Sequence, residues 1–164
     1  MKIGRITISD RASAGIYEDR SGPEIEAVLK EFLGAAVKFE KAIVPDEVDK
    51  ITMTLKKFAD ELACDLLVTT GGTGIAARDV TPEATRPVLD KELPGFGEAM
   101  RIQSLARVKT AILSRALAGT RGKTMIINLP GRPSAVRECL EVLAPAIREG
   151  LAHLRGEDPH QTLA

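Results

Sequence analysis

The segment TTGGTGIAARDVTPEAT, residues 69–85, combines residue types that can bind a phosphate group. Gly71, Gly72 and Gly74 permit positive φ angles and a close backbone approach, so successive N–H groups can point into one concavity, and Thr73 adds a hydroxyl. A tight turn between a strand and a helix would use the same glycines. The segment matches neither GxxxxGK(S/T) nor GxGxxG, which argues against a Walker-type kinase and a dinucleotide oxidoreductase.

Two aspartates could hold a metal ion beside such a loop. Asp79 lies five residues after Gly74 and next to Arg78, and Asp46 follows the second predicted strand. A carboxylate repels a bound phosphate unless a cation lies between them, and Mg²⁺ commonly takes one or two carboxylates together with phosphate oxygens and water. We therefore predict a Mg²⁺ site at these aspartates. Other roles stay open, because Asp79 could cap a turn or pair with Arg78, and Asp46 could be a helix N-cap after Pro45.

Two further segments carry candidate binding residues. In NLPGRP, Asn128, Pro130 and Gly131 could form a rigid turn without a function, or could present donors and backbone N–H groups to an anion or an adenine. In ILSRALAG, Ser114 and Arg115 place a hydroxyl and a guanidinium near a glycine. The local sequence leaves both segments ambiguous.

Alternating strands and helices must position these segments. Apolar and β-branched runs predict strands in KIGRITIS, AVKFEKAIV, DLLVTT and TMIINL. Helices are predicted to begin at or near Ser21, Asp46, Thr81, Gly97 and Ser134. At the first of these we expect a capping box, in which Ser21 and Glu24 satisfy the first N–H groups of the helix.

This alternation is typical of a parallel-rich sheet covered by helices on both faces. Open sheets of this kind bind ligands beyond the carboxyl ends of their strands, at a switch in strand order. Three polar or glycine-rich segments follow predicted strands: ISDRASAG, which contains the candidate Ser9, TTGGTG and NLPGRP. We expect all three at one edge of the sheet.

Length and charge limit the function classes. The 164 residues predict a single domain over residues 1–164, with a polar tail from about residue 155. Lys plus Arg and Asp plus Glu both number 23, so no net field favours nucleic acid or a membrane surface. Aromatic residues are only 3%, which leaves few platforms for stacking nucleic-acid bases. The chain has no apolar run near ~20 residues, and we expect a cytoplasmic protein.

Cysteine and histidine offer little chemistry in this chain. Cys64 and Cys139 are far apart in sequence and outside any metal-binding pattern, so we expect both to be core residues. His153 and His160 lie in the last predicted helix and the tail, and we assign them no catalytic role. A Ser-His-Asp mechanism therefore has no suitable base.

With these motifs established, the sequence resembles the molybdopterin adenylyltransferases, the family that includes bacterial MogA-type proteins, plant homologues and the G domain of gephyrin. The resemblance extends from ITISDRASAG to the last helix and depends most on TTGGTGIAARDVTPEAT. Four further motifs support it: VPDE at 44–47, LPGFGEAMR at 93–101, ILSRALAG at 112–119 and INLPGRP at 127–133.

The resemblance implies transfer of AMP from Mg-ATP to the terminal phosphate of molybdopterin, with release of pyrophosphate. It also implies a three-layer α/β/α sandwich with a mostly parallel sheet, usually a homotrimer, that works with a molybdenum insertase. For Asp46 and Asp79 the resemblance implies Mg²⁺ binding and α-phosphate alignment, and for Gly71, Gly72, Thr73 and Gly74 it implies nucleotide-phosphate binding. The rim of the nucleotide pocket is implied for Asn128, Pro130 and Gly131. Molybdopterin binding is implied for Ser114 and Ser104, and a position facing the site for Glu98.

Two alternatives stay open at this stage. A non-catalytic pterin-binding or scaffolding member of the same fold would share the motifs, although the presence of Asp46 and Asp79 argues against it. A competence-damage-type pyrophosphatase or deamidase domain shares parts of GGTG and of the later proline-glycine motif. The short chain and the complete RDVTPEAT favour the transferase.

Overall fold

The computed structural model describes residues 1–157 as a six-stranded sheet with helices on both faces. The strands are β1 (Lys2–Ile8), β2 (Lys38–Val44), β3 (Leu66–Thr70), β4 (Lys91–Glu92), β5 (Ala118–Arg121) and β6 (Thr124–Leu129). The helices are α1 (Asp10–Ser13), α2 (Ser21–Leu33), α3 (Val48–Lys56), α4 (Thr81–Thr85), α5 (Pro94–Leu105) and α6 (Pro133–Arg155). The predicted tail falls mostly on residues 158–164, outside the described part of the chain.

The strand order is β2-β1-β3-β6-β5-β4. In this order β2, β1, β3 and β6 are parallel to one another, whereas β5 pairs antiparallel with both β6 and β4. This confirms the predicted three-layer sandwich with a mostly parallel sheet. Because β2 and β3 lie on opposite sides of β1, the strand order switches between β1 and β3. Thr7 is in register with Thr70, and Thr70 with Leu129, so the segments that follow β1, β3 and β6 meet at one edge, as expected.

Strand β3 is the buried base of this edge. Leu66 and Val68 pack into the apolar cluster that α2, α5 and α6 cover, whereas Leu67 packs into the cluster on the side of α3. Burial of apolar surface contributes about 25 cal/mol per Å². Because β3 is buried along its whole length, the loop that follows it starts from a fixed position.

The capping box predicted at Ser21 and Glu24 is wrong. Arg20 occupies the N-cap position and makes no side-chain capping bond. The Asp19 carboxylate instead accepts hydrogen bonds from the Gly22 N–H at 2.9 Å and from the Ser21 hydroxyl at 3.3 Å. An ionised carboxylate is a stronger acceptor than a hydroxyl, so it takes over the exposed N–H group at the start of α2.

We expect Asp19→Asn to lower the free energy of unfolding by about 2 kcal/mol, because it removes charged hydrogen-bond partners from a buried arginine that keeps one other carboxylate. The Asp19 carboxylate also accepts from Arg5 Nη1 at 2.7 Å and from Thr7 Oγ1 at 2.8 Å, with only 7% of its side chain exposed. Urea unfolding followed by circular dichroism measures the change. Glu18→Gln is the matched control, because its pair with Arg20 is exposed and should contribute less than ~1 kcal/mol. Equal midpoints for the two variants would contradict the buried role of Asp19.

Other boundaries differ from the sequence predictions in small ways. Helix α1 lies inside the segment ISDRASAG, for which no helix was predicted, and α5 begins at Pro94 rather than near Gly97, since proline is favoured in the first turn of a helix. Strands β4 and β5 were not predicted, because they span only two and four residues. Both cysteines are buried and free, which confirms the core prediction. None of the helices in residues 1–157 combines the length and the hydropathy needed to span a bilayer.

Candidate active site

The candidate site lies where β1, β2, β3 and β6 end. We call residues 71–74 the glycine loop. The Gly71 N–H donates to Leu129 O at 3.1 Å, and the Thr70 hydroxyl donates to Pro130 O at 2.7 Å. A Cβ atom added to Gly131 would lie 3.5 Å from the Gly71 Cα, so the two predicted binding segments are in backbone contact.

The glycines of the loop are required by its geometry. Gly71 has φ +101° and Gly72 has φ +63°, a backbone region that other residues rarely adopt. A Cβ atom on Gly72 would lie 3.0 Å from Asp46 Oδ1, and one on Gly74 would lie 2.7 Å from Asp79 Oδ2. Both predicted aspartates therefore pack directly against the glycine loop, closer than a larger residue would allow.

Asp46, which follows β2, is joined by two hydrogen bonds to Asp10, which follows the neighbouring strand β1. Its Oδ2 accepts from the Asp10 N–H at 2.8 Å, and Asp10 Oδ1 accepts from the Asp46 N–H at 3.0 Å. The N-cap of α3 is Glu47, so the alternative of Asp46 as a helix cap is wrong. Arg78 forms a two-pronged ion pair with Asp10, at 2.9 and 2.8 Å, which leaves the suggested Arg78 pair with Asp79 unsupported.

The pKa values of the Asp46 and Asp10 carboxyl groups are shifted in opposite directions. Burial raises the pKa of Asp46, and the charges of Asp10 and Asp79 raise it further against the opposing hydrogen bond from Asp10. The hydrogen bonds from Arg78 lower the pKa of Asp10. For a raised carboxyl pKa, the contribution to stability is fully present below the ordinary aspartate pKa and is lost as the pH rises through the folded-state value. At neutral pH, the ionised Asp46 carboxylate therefore lowers the stability of the folded protein.

Asp79 caps a turn and also faces the loop. Its Oδ2 accepts from the Ala76 N–H at 2.8 Å, while its own N–H donates to Ala76 O at 2.9 Å. The turn alternative is therefore supported, and it fixes the carboxylate beside Gly74. A structural role in the turn and a role toward a ligand are compatible here.

The residues present fit a hard divalent cation. Asp46 and Asp79 supply carboxylate oxygens, and burial, with smaller contributions from the charges of Asp10 and Asp79, raises the pKa of Asp46, as expected for a site that a cation would neutralise. Within residues 1–157, no group of three or more His, Cys, Asp or Glu side chains is arranged to hold a metal. This donor set is unlike a zinc or calcium cage and suits Mg²⁺, which takes few protein ligands and completes its shell with phosphate and water.

Arg115 ties the glycine loop to the irregular segment that leads into β5. Its Nε donates to Gly74 O at 2.7 Å, its Nη2 donates to Asp79 O at 2.6 Å, and its guanidinium pairs with Glu83. The Arg115 N–H also donates to Thr73 O at 2.8 Å. Since these donors are used by the loop, Arg115 positions the site rather than offering a free cation to a ligand.

A cavity of about 290 Å³ opens beside the Pro130–Gly131 turn and contains both predicted serines. We call it the serine cavity. Ser104 comes from α5, and Ser114 ends the short helical turn that follows it. Because Gly131 contacts Gly71, this cavity adjoins the glycine loop. The structure thus brings the serines and the loop together, although they are distant in sequence.

A second, smaller cavity of about 130 Å³ lies on the other side of the same turn, between Ser9, Gly71 and Gly131. The half-exposed ring of Tyr17 also lines it. Ser9 is the N-cap of α1, where its Oγ accepts from the Ala12 N–H at 3.2 Å. Ser9 therefore lies beside Gly71 at the edge of the sheet where β1 ends.

Three predicted residues do not face these cavities as expected. Asn128 is fully buried beneath the loop, where its amide donates to Thr69 and Thr85 hydroxyls at 3.0 and 3.1 Å. Its side chain supports the floor of the site instead of lining a rim. The Thr73 residue is 5% exposed. Glu98 lines a separate cavity of about 340 Å³ on the far side of Arg115.

Sequence reasoning missed Asp10 and the anchoring role of Thr81. The Thr81 hydroxyl donates to Gly71 O at 2.9 Å, and its N–H donates to Gly72 O at 3.0 Å, so it holds the loop from below. Asp10 follows β1 closely, and the rule that selected Asp46 as a strand-end carboxylate would also have selected it. Thr81 had no such signal, because its role depends on the folded loop.

Fold and site together define a class of protein. This is an α/β domain with a glycine loop and two carboxylates at the strand-order switch, the place where open parallel sheets bind phosphate-bearing ligands. A family model described as a probable molybdopterin binding domain matches residues 4–149. The chain belongs to this family.

Individual relatives agree with the family assignment. The molybdopterin adenylyltransferase of Helicobacter pylori strain J99 is 59% identical over 145 residues, which cover 88% of this chain and 82% of the relative. The molybdopterin adenylyltransferase of Escherichia coli K12 is 46% identical over 153 residues, 93% of this chain and 78% of the relative. The crystal structure of the molybdopterin biosynthesis enzyme MoaB from Thermus thermophilus has a TM-score of 0.85 at 42% identity, with 95% of this chain and 97% of that chain covered.

Proposed function

We propose that this protein is a molybdopterin adenylyltransferase, which transfers AMP from Mg-ATP to the terminal phosphate of molybdopterin in molybdenum cofactor biosynthesis. The observation that carries the proposal is the packing of Asp46 and Asp79 against Gly72 and Gly74 at the edge where the strand order switches. The similar proteins named as adenylyltransferases support it.

The chemistry needs positioning more than proton transfer. An oxygen of the molybdopterin phosphate attacks the α-phosphorus of ATP, a new P–O bond forms, and the bond to the β-phosphate breaks as pyrophosphate leaves. The attacking phosphate is already anionic, so no general base is required, and the rate depends on alignment and charge neutralisation. This agrees with a site built from glycines and carboxylates.

Each part of the site has a role in this reaction. The glycine loop presents backbone N–H groups to the nucleotide phosphates, and Asp46 with Asp79 would hold Mg²⁺, which neutralises phosphate charge when bound. The serine cavity would hold molybdopterin, with Ser104 and Ser114 as hydroxyl partners. Its contact with the loop through Gly131 would place the two phosphates next to each other.

Assembly and location are also part of the proposal. Ile102 and Ile112 are 73% and 61% exposed and lie on neighbouring elements, which supports burial against further copies of the chain in a homotrimer. Two free, buried thiols support a reducing, cytoplasmic setting. A molybdenum insertase would use the product.

Incubation of the purified protein with molybdopterin and Mg-ATP tests the proposal directly. We expect release of pyrophosphate and formation of adenylylated molybdopterin, both dependent on Mg²⁺. If intact molybdopterin binds but no pyrophosphate appears, the non-catalytic binding alternative would replace the transferase. The similar proteins make a competence-damage-type activity the weaker alternative, and it would be indicated by hydrolysis of a nucleotide pyrophosphate without a pterin acceptor.

Arg115→Lys should lower kcat for AMP transfer about 10- to 100-fold, the usual effect of losing a group that orients metal-binding residues. A lysine ammonium cannot bridge Gly74 O, Asp79 O and Glu83 together with fixed geometry. Steady-state pyrophosphate release measures the rate. Arg86→Lys, at an exposed pair with Glu92, serves as the control, and equal rates for the two variants would exclude a positioning role.

A further inference from the structure

The serine cavity contains a carboxylate that the proposed reaction leaves unused. Glu138 of α6 lines the cavity, and only 12% of its side chain is exposed. Its Oε1 is buried and, within residues 1–157, has no hydrogen-bond partner. The ion pair with Arg107 is long, at 3.8 Å, and Arg107 is 72% exposed. Because a buried carboxylate oxygen is costly to leave unpaired, Glu138 indicates a ligand donor in the cavity.

The position of Glu138 makes the two ends of the serine cavity differ in the charge that they favour. One end is formed by Gly131 and by Ser134 in the first turn of α6, next to the glycine loop. Glu138 lies four residues further along the helix, roughly 6 Å away at 1.5 Å per residue. Backbone N–H groups at the helix start favour an anion, whereas the Glu138 carboxylate repels one. A ligand with a phosphate and a heterocycle would therefore place its phosphate at Gly131 and its heterocycle at Glu138.

We infer that Glu138 recognises the pterin ring of the substrate through its pyrimidine edge. The ring N3–H and the 2-amino group are adjacent donors, and an ionised carboxylate accepts two such donors side by side. Glu138 therefore selects a 2-amino-4-oxo pterin over a pteridine that carries oxygen at position 2. This inference rests on the proposed function in one respect, that the serine cavity takes molybdopterin.

A pair of stable probes tests the selection without catalysis. The probes are 6-(phosphooxymethyl)pterin and the matching lumazine, which has an oxo group in place of the 2-amino group. We expect the wild-type protein to bind the pterin about 30-fold more tightly in fluorescence titrations, as for loss of a hydrogen bond to a charged group. In Glu138→Gln the preference should fall below about 3-fold, because the amide offers a donor where the pterin needs an acceptor.

Two control variants separate recognition from structure. Glu141→Gln makes the same change on the same helix at an exposed position, and it should keep the wild-type preference. Arg107→Gln removes the long ion pair, and it should also keep the preference if Glu138 contacts the ligand. An unchanged preference in Glu138→Gln, or an equal loss in Arg107→Gln, overturns the inference.

The binding test is independent of AMP transfer. If the wild-type protein selects the pterin but forms no adenylylated product, the proposed activity fails and the assignment of Glu138 stands. If the wild-type protein transfers AMP but binds both probes equally, the activity stands and the assignment fails. In the transfer assay, Glu138→Gln should raise KM for molybdopterin about 30-fold with little change in kcat, as for uniform ground-state and transition-state binding.

Discussion

Asp46→Asn should reduce AMP transfer about 10³-fold, the effect expected when an electrostatic element of a transition-state site is removed. The amide oxygen can still accept from the Asp10 N–H, so the fold should be retained. Burial and nearby carboxylates already disfavour the Asp46 charge at neutral pH, and its removal should leave the free energy of unfolding unchanged or raise it. Pyrophosphate release measures the loss of AMP transfer, and urea unfolding measures the accompanying change in the free energy of unfolding.

Asp79→Asn extends the same test. If both carboxylates hold one Mg²⁺, the double variant should be little slower than the worse single variant, because residues that act as a unit are not additive. The Mg²⁺ concentration for half-maximal rate should rise in either single variant. Asp49→Asn, an exposed change in the first turn of α3, is the control and should keep the wild-type rate. A wild-type rate for Asp46→Asn would remove that residue from the mechanism.

Gly71→Ala should destabilise the protein by about 3 kcal/mol, the sum of a positive-φ penalty and the overpacking of a closed site. Gly71 has φ +101°, and a Cβ atom there would collide with the carbonyl oxygen of Ile8 in the neighbouring strand. The loop must then move away from β1, which would displace its backbone N–H groups and its packing contact with Asp46. We expect AMP transfer to fall in parallel, measured on the fraction that remains folded.

Gly15→Ala separates the two causes of that loss. Gly15 has φ +72° but open space around its Cα, so only the backbone penalty of about 1 kcal/mol applies. Thermal unfolding of both variants gives the comparison. Similar losses would mean that contact with Ile8 has little importance for the glycine loop.

Much of the fold followed from patterns in the chain. The runs KIGRITIS, DLLVTT and TMIINL became the parallel strands β1, β3 and β6, because continuous apolar and β-branched residues suit strands buried on both faces. Their alternation with helices predicted the layers. The short strands β4 and β5 carried too few residues for a pattern, and they depend on pairing with the edge of the sheet.

Local alternatives were decided by distant partners. Asp19 displaced Ser21 at the start of α2 because Arg5 and Thr7, from β1, hold its carboxylate there. Arg78 pairs with Asp10, which is distant in sequence, and not with its neighbour Asp79. Residue type offered both options in each case, and only the packing of β1 against these segments selected one.

By itself, the sequence determined the parallel sheet, the edge at which the site lies and the residue types that could bind phosphate and Mg²⁺, because these depend on local periodicity and on rules for strand ends. The tertiary structure alone decided that Asp46 and Asp79 pack on different glycines of one loop, that Asn128 lies in its floor, and that Glu138 lies in the same cavity as the two serines. The physical reason is that charge, burial and unpaired acceptors depend on neighbours from other elements, which no local pattern specifies.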